Sequence, residues 1–212
     1  MNTIENLNWD KVGGLMPAIV QDAASGIVLM LGYMNQEALA LTQSTGLVTF
    51  FSRTRNTLWK KGETSGHTLS LVSIETDCDG DSLLVLATPH GPTCHTGENS
   101  CFGNASPEIS FLSKLEGIIA ERRSQEKAGS YTRELFAKGT AHIAQKVGEE
   151  AVETIVAALS PGQDPRNGGT EQNPALCEES ADLLFHLLVL LQSEGLVLND
   201  VVKVLVERHR SA

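Results

Sequence analysis

The sequence predicts a multidomain α and β protein, with a β-rich N-terminal half carrying one helix and an all-α C-terminal half. Short apolar runs rich in β-branched and aromatic residues, bounded by Gly, Asp or Pro, recur as far as Ala87. From Ser106 onwards apolar residues recur at helical spacing and no strand pattern is evident. The 212 residues of the chain suit two domains of roughly 100 residues each. The boundary is expected within Gly103 to Ser106, which gives domains at 1–105 and 106–212.

The elements follow in order. Ala18 to Val20 and Ile27 to Tyr33 are extended apolar runs. Asn35 is a good N-cap, with Glu37 in the first turn and Leu39 and Leu41 further on, so a helix is expected there, ending near Gly46. Leu47 to Phe51, Leu69 to Ile74 and Leu83 to Ala87 are short strands by composition. Ser106-Pro107-Glu108 reads as a helix start: a capping Ser, Pro at the first helical position, then an acid facing the positive end of the dipole. Leu112, Leu115 and Ile118/Ile119 continue it. Further helices are expected at about 130–138, 140–159, 175–193 and 198–209. Ser160 to Pro174 is rich in Pro, Gly and Asn and reads as a flexible surface loop.

Composition excludes some functions. A net charge of −10 and a pI near 5.0 argue against nucleic-acid binding, which needs a basic footprint. Hydrophobic content of 41% is enough for a packed core. The N-terminus shows no basic region followed by an apolar one, and no apolar run is long enough to span a membrane. The longest such run, Leu183 to Leu191, is interrupted by His186. A cytoplasmic protein is the expectation, and there four reduced cysteines suggest metal or catalysis before disulfides.

Asp77-Cys78-Asp79-Gly80-Asp81 places three carboxylates and a thiol between two expected strands. An Asp-rich turn is equally the composition of a solvated hairpin loop. Cys94 and Cys101 shift the balance, because both lie in the Gly/Pro/His/Asn-rich loop HGPTCHTGENSC. Thiolates in such a loop suit Zn²⁺, and three protein ligands leave a fourth position open, as in catalytic sites. No CxxC pair is present, so a standard structural zinc module is not indicated. Aspartates are hard oxygen donors that suit Mg²⁺. Alternation along an extended strand would also turn Cys78 away from Asp77 and Asp79, giving thiol and carboxylates different ions. His67, His90 and His95 are further candidate ligands, though any single one is more often a hydrogen-bonded surface histidine. Upstream, Arg53, Arg55, Lys60, Lys61 and Ser65 concentrate basic groups and hydroxyls in an otherwise acidic chain, as a phosphate cradle requires; a charged hairpin has the same composition.

MLGYMNQEAL, FFSRTRNTLWKKGETSGHT, ETDCDGDSLL and GPTCHTGENSCF, in that order, resemble phosphoribosyl-AMP cyclohydrolase of histidine biosynthesis over residues 9–103. The resemblance implies a β-rich pseudo-barrel working as a homodimer and hydrolytic opening of the adenine ring at the N1–C6 bond. It implies zinc on Cys78, Cys94 and Cys101, with Cys94 and Cys101 lent to Cys78 by the partner chain. It implies magnesium on Asp77, Asp79 and Asp81. His67 and His95 are the candidate catalytic residues. Zinc chemistry suits an attack of water on an electron-poor purine carbon.

In the second half, Glu149, Glu150 and Glu153 share one face of an expected helix, where like charges repel unless a cation binds between them. Glu178-Glu179-Ser180-Ala181-Asp182 forms a second acidic cluster, and Asp182 opens the nearly all-apolar DLLFHLLVLL. A carboxylate entering a buried helix is costly unless paired or metal-bound. Solvated helix faces are the plain alternative. Glu-Glu-x-x-Glu followed by Glu-x-x-Asp resembles the all-α nucleotide pyrophosphohydrolases. More narrowly, FLSKLEGIIAERR, SYTRELFAKGT, IAQKVGEEAVE and EESADLLFHLLVLL resemble phosphoribosyl-ATP pyrophosphatase over residues 109–209. That resemblance implies a helical dimer with Mg²⁺ among Glu149, Glu150, Glu153, Glu179 and Asp182, Glu150 and Glu153 being catalytic and Lys146 binding substrate. Where basic residues are expected ahead of the acidic motif, this chain has Ala141 and His142.

Together the resemblances imply two consecutive steps on one chain, with phosphoribosyl-ATP and phosphoribosyl-AMP as substrates and neither nucleic acid nor membrane as partner. Two rival readings are a nucleoside triphosphate pyrophosphohydrolase with a zinc-binding regulatory module, and a zinc-dependent interaction protein. Cys177, at a helix start away from the other thiols, is expected to be structural.

Overall fold

The computed structural model describes residues 7–103, 105–124, 130–160 and 173–210. It divides into two compact units, Met1–Phe111 and Leu112–Ala212. The division falls a few residues beyond the expected boundary. Most of the loop expected at Ser160 to Pro174 lies outside the described residues.

The first unit contains β1 (Met16–Asp22), β2 (Val28–Met34), α1 (Gln36–Thr45), β3 (Thr49–Ser52), β4 (Thr57–Lys60), β5 (Leu69–Thr76) and β6 (Leu83–Pro89). Four strands form a sheet in the order β2-β1-β6-β5, and β3 and β4 form a separate ribbon. β1 pairs antiparallel with β2 and parallel with β6, while β5 and β6 make an antiparallel pair. Met16, Ala18 and Val20 alternate inward along β1, as do Leu83, Val85 and Ala87 along β6, and all six are buried. The ribbon reaches both edges of the sheet. Leu47, just ahead of β3, bridges to Ser70 in β5. At the β2 edge Phe50 packs where Gly32 has no side chain, and a Cβ there would collide with the Phe50 ring. The strands therefore wrap one core, which includes Val48 and Phe50.

α1 has the caps its sequence promises. Asn35 accepts a 2.8 Å bond from Ala38 N–H. Gly46 takes the left-handed conformation at φ 69°, and its N–H closes on Thr42 O. The buried Thr42 hydroxyl donates to Ala38 O at 2.8 Å and accepts from Thr49 N–H at 2.9 Å, tying the helix to β3.

The second unit contains α2 (Phe111–Ser124, whose first residue falls in the first unit), α3 (Tyr131–Lys138), α4 (Thr140–Leu159), α5 (Pro174–Ser193) and α6 (Leu198–Arg210). The expected helix start at Ser106 is corrected: Glu108–Ser110 is a single 3₁₀ turn after Pro107 with no side-chain cap, and the α-helix begins at Phe111. Ile119, Leu135, Ile143, Leu188 and Val189 make the core. α6 buries none of its residues. Val152, Ile155, Val156 and Leu159 on α4 are also exposed, Leu159 at 78%. Among the described residues no single helix is long and apolar enough to cross a membrane.

Candidate active sites

In the first unit the β5–β6 connection carries the aspartates. Asp77 Oδ1 accepts from the N–H groups of Asp81 (2.9 Å) and Ser82 (3.1 Å), and Oδ2 accepts from the Ser82 hydroxyl at 2.7 Å. These donors, led by the Ser82 hydroxyl, hold the Asp77 carboxyl far below the usual carboxylate range. The segment from Cys78 to Gly80 is therefore a turn, with Gly80 at φ 72°. This corrects the extended backbone assumed for Asp77 to Asp79, and strand alternation does not separate their side chains. Asp77, Asp79 and Asp81 each offer an oxygen within 4.8 Å of the others. Asn8 N–H bonds Gly80 O at 2.7 Å, which brings the preceding segment to the turn. Lys11 follows there, pairing with both Asp79 and Asp81, and its ammonium is held charged well above the ordinary lysine range.

The loop after β6 is fixed on β2. Ser100 Oγ donates to Val28 O at 2.8 Å, and Cys101 N–H donates to Leu29 O at 2.8 Å. Cys94 and Cys101 lie close enough for their thiols to perturb one another. The Thr96 hydroxyl, 3.1 Å from Cys94 Sγ, pulls that thiol below its ordinary range. Burial, then the neighbouring Cys94, pushes the Cys101 thiol up. Lys61 is buried beside both; burial lowers its pKa and the thiols oppose that shift. His95 Nδ1 is 3.8 Å from Cys94 Sγ.

A cleft of about 410 Å³ brings together Lys61, Ser65, His67, Cys94 and His95, with Trp59 and Gly62 in its wall. Gly91 makes room for the His67 ring, since a Cβ there would lie 2.7 Å from His67 Cδ2. Arg53, Arg55 and Lys60 do not line the cleft. Arg53 lies over the Tyr33 ring at 3.8 Å, and His90 bonds Ser70 Oγ at 2.7 Å. Among the described residues Cys78 joins no group of three potential ligands with Cys94 and Cys101. The two thiols are soft donors that fit zinc, and the aspartate oxygens are hard donors that fit magnesium.

In the second unit Glu150 (α4), Glu179 and Asp182 (α5) converge, with one oxygen from each inside 4.8 Å. Burial, then Glu153, Asp182 and Glu150, pushes the Glu179 carboxyl above its ordinary pKa. Carboxylates crowded in this way fit a hard dication. Glu153 stands near Glu179 but outside the converging set. Glu149 is turned elsewhere, bonded to Lys146 at 2.8 Å and Gln145 at 2.9 Å. Lys146 also reaches Glu150 Oε1 at 3.1 Å. Cys177 is exposed on the first turn of α5, and Cys78, Cys94, Cys101 and Cys177 are all free thiols.

The sequence reading missed His186 as a site residue. It is 4% exposed, and its ring touches the set through Glu150 Oε1, 3.6 Å from Nδ1. The available signal was a histidine inside an apolar helical run, four residues after Asp182.

A family model for phosphoribosyl-AMP cyclohydrolase matches residues 30–103, and one for phosphoribosyl-ATP pyrophosphohydrolase matches residues 112–209. The chain is 54% identical over 206 residues to the histidine biosynthesis bifunctional protein HisIE of Yersinia pestis, covering 97% of this chain and 96% of that one. It is 54% identical over 204 residues to HisIE of Escherichia coli (strain K12), covering 96% of each. It is 53% identical over 209 residues to HisIE of Xanthomonas campestris, covering 99% and 96%. The chain thus belongs to the family of bifunctional histidine-biosynthesis proteins, its strand-rich unit being the phosphoribosyl-AMP cyclohydrolase domain and its helical unit the phosphoribosyl-ATP pyrophosphohydrolase domain.

Proposed function

We propose that the helical unit cleaves phosphoribosyl-ATP to phosphoribosyl-AMP and pyrophosphate at a magnesium site on Glu150, Glu179 and Asp182, flanked by Glu153. The strand-rich unit then opens the adenine ring of phosphoribosyl-AMP at N1–C6, using zinc held by Cys78, Cys94 and Cys101 and magnesium held by Asp77, Asp79 and Asp81. The product of the first reaction is the substrate of the second, which gives the two units one chemical purpose. The observation that carries the helical half is the convergence of Glu150, Glu179 and Asp182 from two helices. When bound, such cations neutralise phosphate charge and activate water.

The protein's own groups supply the rest. Lys61 and Ser65 offer a cation and a hydroxyl to a phosphate in the cleft. His67 and His95 line the same cleft, where an imidazole can accept a proton from water and return it to the leaving ring nitrogen. Arg53, held on Tyr33, and the nearby Arg55 and Lys60 supply positive charge outside the cleft. Lys146 is placed to exchange its carboxylate partners for a substrate phosphate.

The reading includes a homodimer. The exposed apolar residues of α4 and α6 supply a surface for a second copy to cover. A partner chain would also bring Cys94 and Cys101 to Cys78. It places the chain in the cytoplasm, where the four free thiols stay reduced. The test is to supply phosphoribosyl-ATP and identify the products by mass spectrometry, with and without chelators. Pyrophosphate and the ring-opened product are expected without chelator, and neither with it. Turnover of ordinary nucleoside triphosphates in preference to phosphoribosyl-ATP would contradict the assignment.

A further inference from the structure

We infer that His186 is a positioning residue that fixes Glu150 for cation binding. The inference rests on the divalent-cation site proposed above.

His186 lies on α5, and both of its ring nitrogens are engaged. Nε2 is 2.8 Å from Tyr131 Oη at the start of α3. Nδ1 is 2.9 Å from the Asp182 backbone oxygen and 3.6 Å from Glu150 Oε1. A carbonyl oxygen and a carboxylate oxygen only accept. Nδ1 must therefore carry a proton, since a bare nitrogen there would face two acceptors. In the neutral ring Nε2 is then the acceptor, and the Tyr131 hydroxyl donates to it. Phe185, 5.2 Å away at an interplanar angle of 79°, packs edge-on against the ring. This tautomer satisfies the hydrogen bonds to Tyr131 and Asp182 and turns the Nδ1 edge towards Glu150.

That tautomer aims an N–H at the site. Glu150 is 5% exposed and brings its charge into a crowd of carboxylates. Lys146 Nζ lies 3.1 Å from Glu150 Oε1, and His186 Nδ1, whose hydrogen goes to Asp182 O, lies 3.6 Å from the same oxygen, near enough to favour its charge. One Glu150 oxygen lies within 4.8 Å of oxygens of Glu179 and Asp182, so a fixed Glu150 carboxylate keeps that set together. His186 hydrogen-bonds the backbone of Asp182 and sets the positive edge of its ring 3.6 Å from the carboxylate of Glu150. Outer partners of this kind orient ligands without touching the ion, and their loss typically weakens metal binding about 10- to 100-fold.

The test uses the full-length chain and reads binding rather than turnover. Magnesium is titrated by calorimetry into the wild type and Asp182→Asn, and the binding step absent from Asp182→Asn belongs to the helical site. His186→Phe should weaken that step about 10- to 100-fold, while His186→Asn, which retains an N–H near the Nδ1 position, should stay within about threefold of wild type. Imidazole ¹⁵N NMR of the wild type, with His186 identified by its absence from His186→Asn, should show the Nδ1–H tautomer. This second reading does not depend on His186→Phe folding. An unchanged step in folded His186→Phe, equal losses in Phe and Asn, or an Nε2–H tautomer would each overturn the inference. If Asp182→Asn loses no binding step, the cation-site reading itself fails, which is a different result.

Discussion

Lys11 Nζ lies 2.6 Å from Asp81 Oδ2 and also contacts Asp79, so the ammonium occupies the space between two carboxylates suited to a divalent cation. A cation arriving there must displace it. Lys11→Met should therefore tighten magnesium binding at the aspartate turn. Lys11 is well exposed, so the gain should be modest, about two- to fivefold. Calorimetric titration of the full chain measures it, and weaker binding in Lys11→Met would show that Lys11 supports the site instead of competing for it.

Gly62 sits in the wall of the cleft at φ 82°, and a Cβ there would overlap the His67 carbonyl group and lie 2.6 Å from Thr68 N. The obstacle is backbone, which no rotamer change relieves. Gly62→Ala should lower the stability of the strand-rich unit by about 1–3 kcal/mol or more. It should also abolish ring opening, because His67 and Lys61 are displaced, and leave pyrophosphate release intact. Thermal unfolding and the two separate assays check this; wild-type ring opening would mean that the cleft tolerates the shift.

The elements set by local chemistry were legible in the sequence. The Asn35 cap and Gly46 terminus of α1, the alternating runs of β1 and β6, and the periodic helices of the second unit all depend on neighbours within a few residues. Features made by distant contacts were not legible. The strand β4 lies in TLWK, whose burial is only partial and whose charged flank reads as loop; it forms because β3 pairs with it. The turn at Cys78 to Gly80 depends on Asp77 capping two N–H groups, which sequence alternation does not express. Among the acidic residues, spacing grouped Glu149, Glu150 and Glu153, but only Glu150 converges with Glu179 and Asp182, because α5 packs against one face of α4. His186 was legible as an oddity in an apolar run, but its partner Tyr131 lies 55 residues away.

Because Cys78 forms no group of three close ligands with Cys94 and Cys101 among the described residues, a zinc site completed across a dimer makes a quantitative prediction. Cys78→Ala and Cys94→Ala chains should each be inactive for ring opening. Random subunit exchange makes about half the dimers mixed, each with one intact site, so about a quarter of wild-type activity should return. No recovery, with exchange verified by mass spectrometry of tagged chains, would mean that each zinc site lies within one chain.

Two chemically separate sites on one chain are the central claim, and Asp182→Asn tests it most directly. Asp182 belongs only to the carboxylate set of the helical unit. With phosphoribosyl-ATP supplied, pyrophosphate release should fall about 100-fold or more, as expected when a metal ligand is lost. With phosphoribosyl-AMP supplied to the same preparation, ring opening should stay within about twofold of wild type, as expected for sites that share no residues. Undiminished pyrophosphate release, or loss of both activities in a folded protein, would contradict the account.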